Sequence, residues 1–357
     1  MKIAVYTIAL NEEQFVKRWY ESAKDADYLL IADTGSTDKT IEIAESLGIN
    51  VFKISINPWR FDDARNASLA LVPNDIDYCI SLDMDEVLSE GWRKELESLE
   101  GSNVTRPIHT LVTHISEIGQ EGTEFDALRM HARHGHRWKF PIHESVSFYG
   151  IEELRKKIDV KIYHLPDNNK SRGQYLALLD MAATEDPTSD RCAHYYAREL
   201  FYYARYEEAA IEFKRHLELP SALWKPERCE SMRYIAKCET NNKEHWLRLA
   251  IAECPERREP LVDLAQYFYE IQDWHKVKEY SELALNIKEK FLGYFCESEV
   301  WGWKPHDLLG LANYNLGNYE EASKQGEIAV SLCDDQRLHD NLGFYHAAQR
   351  LEKNLVK

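Results

Sequence analysis

A chain of 357 residues that is 44% hydrophobic is long enough for two cored domains, and its net charge of -17 disfavours non-specific attraction to nucleic acid or anionic lipid. No apolar run reaches the roughly 18–20 residues of a membrane span. Residues Met1–Tyr6 enter a strand with no leader pattern, and the seven scattered cysteines form no Cys-x-x-Cys pair. Reduced thiols in a cytoplasm are therefore expected, rather than a zinc site or a disulfide scaffold.

The first part alternates strand and helix. Lys2–Leu10 and Tyr28–Ala32 are β-branched and apolar, with a helical composition over Glu12–Lys24 between them. The turn Thr34-Gly35-Ser36-Thr37-Asp38 suits the cap of a helix that places Ile41, Ala44 and Leu47 on one face and stops at Gly48. Val51–Ile54 reads as a short strand, Ala64–Leu71 as a helix and Tyr78–Leu82 as a buried strand. Such alternation predicts parallel strands with helices on both faces, and ligands bind at the carboxyl ends of strands in such sheets. Asn11, Asp33 and Asp83 all fall at such ends.

The run Ile80-Ser81-Leu82-Asp83-Met84-Asp85-Glu86 carries the strongest chemical signal. Side chains alternate along a strand, so Asp83 and Asp85 would share a direction. Two converging carboxylates suit a hard divalent cation that also binds diphosphate oxygens. From about Val104 to His164 the pattern changes to strands over Val112–Ile115, Ala127–Arg133, Ser145–Phe148 and Val160–Tyr163. Histidines cluster there, among them His109, His114, His131, His136 and His143.

From about Ser171 the chain reads as successive helices with an internal repeat. Ala197 and Ala209, Ala265 and Val277, and Gly310 and Ala322 share one spacing, each with an aromatic three residues before the second member: Tyr206, Trp274 and Tyr319. Small residues let paired helices approach closely, while the aromatic fills the layer between pairs. Cys238 and Ala250 mark a degenerate fourth unit. The pattern resembles a tetratricopeptide array with irregular spacing. The expected organisation is α/β followed by all-α, with domains at 1–170 and 171–357.

Thr7-Ile8-Ala9-Leu10-Asn11-Glu12-Glu13, Asp33-Thr34-Gly35-Ser36-Thr37-Asp38, Ala64-Arg65-Asn66 and Asp83-Met84-Asp85-Glu86 occur in that order, followed by Pro141-Ile142-His143-Glu144 and Tyr163-His164. Together they resemble the family 2 inverting glycosyltransferases of GT-A fold, in the branch with a tetratricopeptide-like extension. The resemblance implies a Rossmann-like nucleotide-sugar domain that moves a sugar from a donor, expected to be UDP-linked, with help from Mn²⁺ or Mg²⁺. It implies that Asp33 accepts the uracil imide, that Thr7 and Glu12 lie by the nucleoside with Asn11 holding the loop of that donor site, and that Arg65 contacts the donor. Asp83 would reach ribose or metal, with Asp85 and His164 as metal ligands. Glu144 is the expected base, with His143 either orienting it or touching the diphosphate, and Asp62, Asp63 and Glu86 as rivals. The acceptor stays open among saccharide, peptide and lipid-linked sugar, the last weakened by the lack of an apolar span and nucleic acid disfavoured by charge, and the helices offer a surface for self-association. The alternative is an inactive nucleotide-sugar fold whose helical repeats bind partners.

Overall fold

The computed structural model describes residues 1–113, 121–166, 173 and 175–355. The chain separates into two compact units, Met1–Asp186 and Pro187–Lys357.

In the first unit, the strands are β1 (Ile3–Ala9), β2 (Tyr28–Asp33), β3 (Asn50–Lys53) and β4 (Tyr78–Ser81), separated by helices α1 (Val16–Ala23), α2 (Thr40–Ser46) and α3 (Phe61–Leu71). The chain continues through β5 (Glu86–Leu88), α4 (Trp92–Glu97), β6 (Arg106–Val112), β7 (Glu124–Ala127), β8 (Met130–Ala132), β9 (His136–Lys139), β10 (Ser145–Phe148), β11 (Arg155–His164) and α5 (Tyr175–Glu185). The main sheet has the order β3-β2-β1-β4-β8, parallel except for β8. Both faces of β1 are covered, which its unbroken run Ile-Ala-Val-Tyr-Thr-Ile-Ala requires. The strand order reverses direction between β1 and β4, and a sheet of this kind takes its ligand in the crevice at the carboxyl ends of such strands.

The second sheet, β5-β11-β6-β7, decides what lies beside that crevice. β5 runs antiparallel to β11 and sets His164 opposite Glu86. β9 and β10 form a separate hairpin.

Several sequence expectations shift. The helix expected from Glu12 begins only at Val16. The backbone N–H groups of Asn11, Glu12 and Glu13 are instead taken by side chains of Ser36, Thr40 and Asp38. The strand expected at Val112–Ile115 ends at Val112 and starts at Arg106, while His114 and Ile115 lie outside the described residues. Arg106, which opens β6, is buried with its guanidinium bonded to the Leu128 and Val146 carbonyls and to Glu153. The single strand expected over Ala127–Arg133 divides, β7 pairing with β6 and β8 with β4. The sequence reading changed to helices at residue 171, whereas α5 belongs with the first unit.

The second unit contains α6 (Asp190–Tyr202), α7 (Tyr206–Glu218), α8 (Lys225–Cys238), α9 (Lys243–Glu253), α10 (Glu259–Glu270), α11 (Trp274–Asn286), α12 (Ser298–Trp301), α13 (Lys304–Asn315), α14 (Tyr319–Leu332) and α15 (Gln336–Leu355). Helices pack on their chain neighbours: α6 on α7, α8 on α9, α10 on α11, α13 on α14. The expected aromatics Tyr206, Trp274 and Tyr319 each open the second helix of a pair. Each also meets a ring five residues earlier: Phe201 at 5.2 Å, Tyr269 at 5.8 Å and Tyr314 at 5.6 Å.

The turns between these helices are copies of one another. Ala204, Gln272 and Gly317 are left-handed, with φ of 56°, 59° and 80°. The next N–H donates back across the helix end in each case, Arg205 to Leu200, Asp273 to Phe268 and Asn318 to Asn313, at 2.8–2.9 Å. This helix-ending turn satisfies the last carbonyls and fixes the angle of the hairpin. The α8–α9 pair departs from it, with Thr240–Asn242 in a short 3₁₀ turn between the helices. Among the described residues no helix is long and apolar enough to cross a membrane.

The buried histidines of the first unit make it sensitive to acid. Burial pushes His109 and His131 down to about 3 and His136 to about 4. Below about pH 6.5 the unfolded chain then binds more protons than the folded one. These groups thus stabilise the unit fully above that pH, and the contribution is lost progressively down to about pH 3. The melting temperature is expected to fall from about pH 7 to about pH 4.5. His109→Leu should flatten that slope, since neither ring nitrogen of His109 has a partner among the described residues; an unchanged slope would assign the acid sensitivity elsewhere.

For the repeat turns, an L-residue held left-handed costs roughly 1–2 kcal/mol, partly offset by the greater freedom glycine has when unfolded. Ala204→Gly is expected to raise unfolding free energy in urea by up to about 1 kcal/mol, and Gly317→Ala to lower it comparably. A Cβ at Gly317 meets nothing within 4 Å, so only backbone strain is being measured.

Candidate active site

The loops after β1 and β2 are laced together at their backbones. Asn11 is left-handed at φ 56° and its Oδ1 accepts from the Thr37 N–H at 2.8 Å, while its own N–H donates to Ser36 Oγ at 2.8 Å. The Glu12 N–H donates to Thr40 Oγ1 at 2.7 Å, and Lys39 N–H to Glu13 Oε2 at 2.9 Å. Asp33 is buried at the end of β2, where its carboxylate accepts from the N–H groups of Gly35 and Ser36 at 3.0 and 3.1 Å. Thr7 and Glu12 are buried nearby in sequence, on β1 and its following loop. The motifs that looked like nucleoside contacts are thus also what builds a rigid double loop.

Beside this loop pair, α3 presents Arg65 beneath the end of β4. Its Nη2 donates to Asp83 Oδ1 at 2.8 Å, Nη1 to Ser81 Oγ at 3.1 Å and Nε to Glu144 Oε1. The guanidinium carbon sits 4.9 Å from the Trp138 ring. Arg129 closes the other side of Asp83, its Nη1 donating to Asp83 Oδ2 at 2.7 Å and to Glu86 Oε2 at 2.9 Å. Burial pushes the Asp83 carboxyl up, but Arg65 and Arg129 outweigh it and hold the group well below the usual range. Glu86 is fully buried and pushed up to about 7, because burial together with Asp83 exceeds the pull of Arg129.

Asp85 and His164 form a second pair, Nε2 to Oδ2 at 3.3 Å, where β5 and β11 run together. Burial lowers His164, but the hydrogen bond and charge of Asp85 prevail and raise it. The backbone is fastened too, with the Leu165 N–H donating to the Asp85 carbonyl at 2.8 Å and Arg18 reaching the Leu165 carbonyl at 3.2 Å. One carboxylate and one imidazole are a chemically suitable donor pair for Mn²⁺ with phosphate oxygens completing the set. Asp83 fits less directly, since each of its oxygens already faces an arginine. Among the described residues no three His, Cys, Asp or Glu side chains converge as a ready-made cage.

The segment between β9 and β10 carries His143 and Glu144. Phe140 and His143 are both left-handed, at φ 77° and 49°, which concentrates backbone strain in this loop. His143 meets the Tyr175 ring edge-on at 6.1 Å. The loop is tied to α3 by the Phe61 N–H, which donates to the Pro141 carbonyl at 2.9 Å. Among the rival carboxylates, Asp62 is held by Arg60 at 3.1 and 3.2 Å, Asp63 is largely exposed, and Glu86 is buried behind Asp83.

The structure therefore joins Asp83, Arg65 and Glu144 in one cluster and Asp85 with His164 in another. Sequence reasoning missed Arg129, which sits between β7 and β8 in no recognisable motif; only the β4–β8 pairing delivers it to Asp83. Removing one partner from a buried charge cluster typically costs about 3–5 kcal/mol, and partial exposure of Asp83 and Arg129 reduces that figure. Arg129→Ala is accordingly expected to lower unfolding free energy by roughly 2–3 kcal/mol. Arg129→Lys, which keeps the charge, should recover part of it; equal loss in both would mean that geometry rather than charge is at stake.

Comparison with known proteins bears on the first part of the chain. Residues 4–106 match the family described as glycosyl transferase family 2. An uncharacterized glycosyltransferase of Rickettsia bellii is 34% identical over 103 residues, 28% of this chain and 33% of that protein. Another, from Rickettsia conorii, is 34% identical over 104 residues, 29% of this chain and 35% of that protein. The chain thus spans about a third of the length of these relatives. Solved structures with some likeness include MamA from Desulfovibrio magneticus, with 15% identity, a TM-score of 0.36 and coverage of 45% of this chain and 84% of that one. A thermophilic TPR protein of Thermus thermophilus has 14% identity and a TM-score of 0.33, over 50% of this chain and 91% of that one. At such scores the repeated turns and helix pairing, rather than these alignments, carry the tetratricopeptide-like assignment. At residues 4–106 the chain carries a glycosyl transferase family 2 domain, followed further along by tetratricopeptide-like helical repeats.

Proposed function

We propose that the protein is a metal-assisted inverting glycosyltransferase that takes its sugar from a nucleotide donor, in the first instance a UDP-sugar. The observation that carries this reading is the Asp83–Arg65–Glu144 cluster beside the Asp85–His164 pair, at the carboxyl ends of the strands. In this reading Asp33, Thr7, Asn11 and Glu12 receive the nucleoside on the double loop, and Arg65 lies toward the diphosphate. Asp85 and His164, with Asp83 next to them, would hold Mn²⁺ or Mg²⁺. A bound divalent cation offsets the charge on the departing diphosphate.

Glu144 takes the proton from the acceptor nucleophile as that atom attacks the anomeric carbon. The carbon–oxygen bond to the diphosphate breaks on the opposite face, and the nucleoside diphosphate leaves with the electron pair. His143, in its strained turn, orients the Glu144 side of the loop. A saccharide or a peptide is the acceptor class this reading favours, with nucleic acid disfavoured by the net charge of -17. The helical repeats would present that acceptor or a second copy of the chain. Seven free thiols fit a reducing, cytoplasmic setting.

Thermal stabilisation by a panel of nucleotide sugars with Mn²⁺ tests the donor, because bound ligand raises apparent stability by mass action. Asp85→Ala should abolish UDP release from the donor while the fold is kept. Near-normal turnover at limiting Mn²⁺ would remove Asp85 from the site. Glu144→Gln should lower turnover by about 10²–10⁴-fold with little change in donor affinity. Lost donor affinity with normal single-turnover chemistry would instead move Glu144 to the donor side and leave Asp63 or Glu86 as base.

A further inference from the structure

Trp138 belongs to none of the motifs, yet two adjacent residues of α3 grip it. Asn66 holds its backbone from both directions, Nδ2 donating to the Trp138 carbonyl at 2.9 Å and Oδ1 accepting from the Trp138 N–H at 2.9 Å. Arg65, the preceding residue, lies against its ring. The indole N–H donates to the Tyr6 hydroxyl at 2.8 Å. That hydroxyl lies 3.0 Å from His131 Nε2, and His131 Nδ1 lies 2.8 Å from the Ala132 carbonyl.

With a neutral His131, only one set of proton positions satisfies every member. A carbonyl cannot donate, so His131 carries its proton on Nδ1 and its Nε2 accepts from Tyr6. The Tyr6 oxygen is then left to accept from the indole. The chain Trp138 → Tyr6 → His131 → Ala132 is directional and ends in the backbone of the β4–β8 ladder. Tyr6, His131 and Trp138 are all buried, so water does not compete for these bonds. The neutral imidazole that the chain requires is the state that burial enforces.

We propose that Trp138 is a positioning residue for sugar transfer: its indole, fixed by Tyr6 and His131, sets the plane of the Arg65 guanidinium and thereby the placement of Glu144 and Asp83. A planar cation held over a fixed ring is restricted in the orientations its fork can take. Without the ring, Arg65 retains its charge but not its aim. Trp138 lies on β9 and Glu144 just before β10, so a single hairpin supplies both the plate under Arg65 and one of the carboxylates it serves. What is being positioned rests on the glycosyltransferase reading; that Arg65 is positioned does not.

The test uses the full chain and two readouts. The first is the Arg65 Nε–H signal in ¹⁵N-resolved NMR, expected to be exchange-protected in the wild type by its bond to Glu144. The second is UDP release from UDP-glucose and UDP-N-acetylglucosamine with Mn²⁺. Trp138→Leu should lose the protected signal and lower kcat by about 10²-fold, with donor KM altered far less. Trp138→Phe, which keeps a ring, should restore most of both. Tyr6→Phe removes both the acceptor of the indole N–H and the donor to His131 while keeping the Trp138 ring, and should shift the signal and reduce kcat more mildly; it serves as the deciding variant if Trp138→Leu fails to fold. An unchanged Arg65 signal in a folded Trp138→Leu protein, or in Tyr6→Phe where that is the deciding variant, would overturn the proposal. If the wild type releases UDP from neither donor, the glycosyltransferase reading loses its support, and the Arg65 signal still decides the role of Trp138.

Discussion

The Arg65 guanidinium is the charge on which the first unit's site depends. It is almost fully buried, and an arginine cannot shed its proton there. Every donor must therefore find an acceptor, and the acceptors it finds are Glu144, Ser81 and Asp83. Two carboxylates from segments 61 residues apart are drawn to one point by a cation from a third. Desolvating these charges is costly, and their mutual attraction together with the cation–ring contact to Trp138 offsets the cost. The arrangement is favourable only when complete, which makes it a specifier of geometry more than a source of stability.

Arg129 extends the same logic by one step. It shares Asp83 with Arg65 and adds Glu86, so two cations face three carboxylates along the end of β4. With both oxygens of Asp83 engaged by arginines, Asp83 acts in this structure as the anchor of the cluster. Asp85 points instead to His164, which β11 brings in from the second sheet. The Asp-x-Asp pair is thus divided between two tasks. That division arises because the chain leaves β4 at Ser81 and turns before re-entering β5 at Glu86, so strict strand alternation no longer governs Asp83 and Asp85.

The helical unit applies a comparable constraint through different parts. Arg233 is fully buried and reaches Glu230, Asp263 and Glu297 at 2.6–2.9 Å. Arg257 pairs with Glu230 at 3.0 Å and donates to the Phe295 carbonyl at 3.2 Å. Glu297 and Phe295 belong to the segment between α11 and α12, which is therefore pinned to α8 and to the chain just before α10. Nearby, Tyr294 OH, His194, Ser231, His216 and Glu227 form a continuous buried polar chain. An array stabilised only by small residues and aromatics would tolerate sliding between its repeats. These buried charges need defined partners and so fix the register of the irregular insertion.

Local signals were legible from the residues alone. The apolar runs of β1, β2 and β4, the capping turn after Asp33 and the spacing of Ala197, Ala209, Ala265, Val277, Gly310 and Ala322 depend on neighbours within a few residues. Periodicity and turn chemistry report such features directly. The common left-handed turn was less visible, because Ala204 and Gln272 occupy positions where Gly317 alone announces it. The start of α1 was misplaced because its first N–H groups are claimed by a loop about 25 residues away.

By itself the sequence determined the order of strands and helices, the carboxylates at strand ends and the change to helical repeats. Hydrophobic periodicity and short-range turn preferences are encoded locally, so no long-range knowledge is needed to read them. Only the tertiary structure decided which charges meet. Arg129 reaches Asp83 through the β4–β8 pairing, His164 reaches Asp85 through β5 and β11, and Trp138 reaches Arg65 through its bonds to Asn66 and Tyr6. Each of these contacts joins residues that are 46 to 132 positions apart. Their pairing follows from strand register and from the need of buried charges and N–H groups for partners, neither of which leaves a local pattern in the chain.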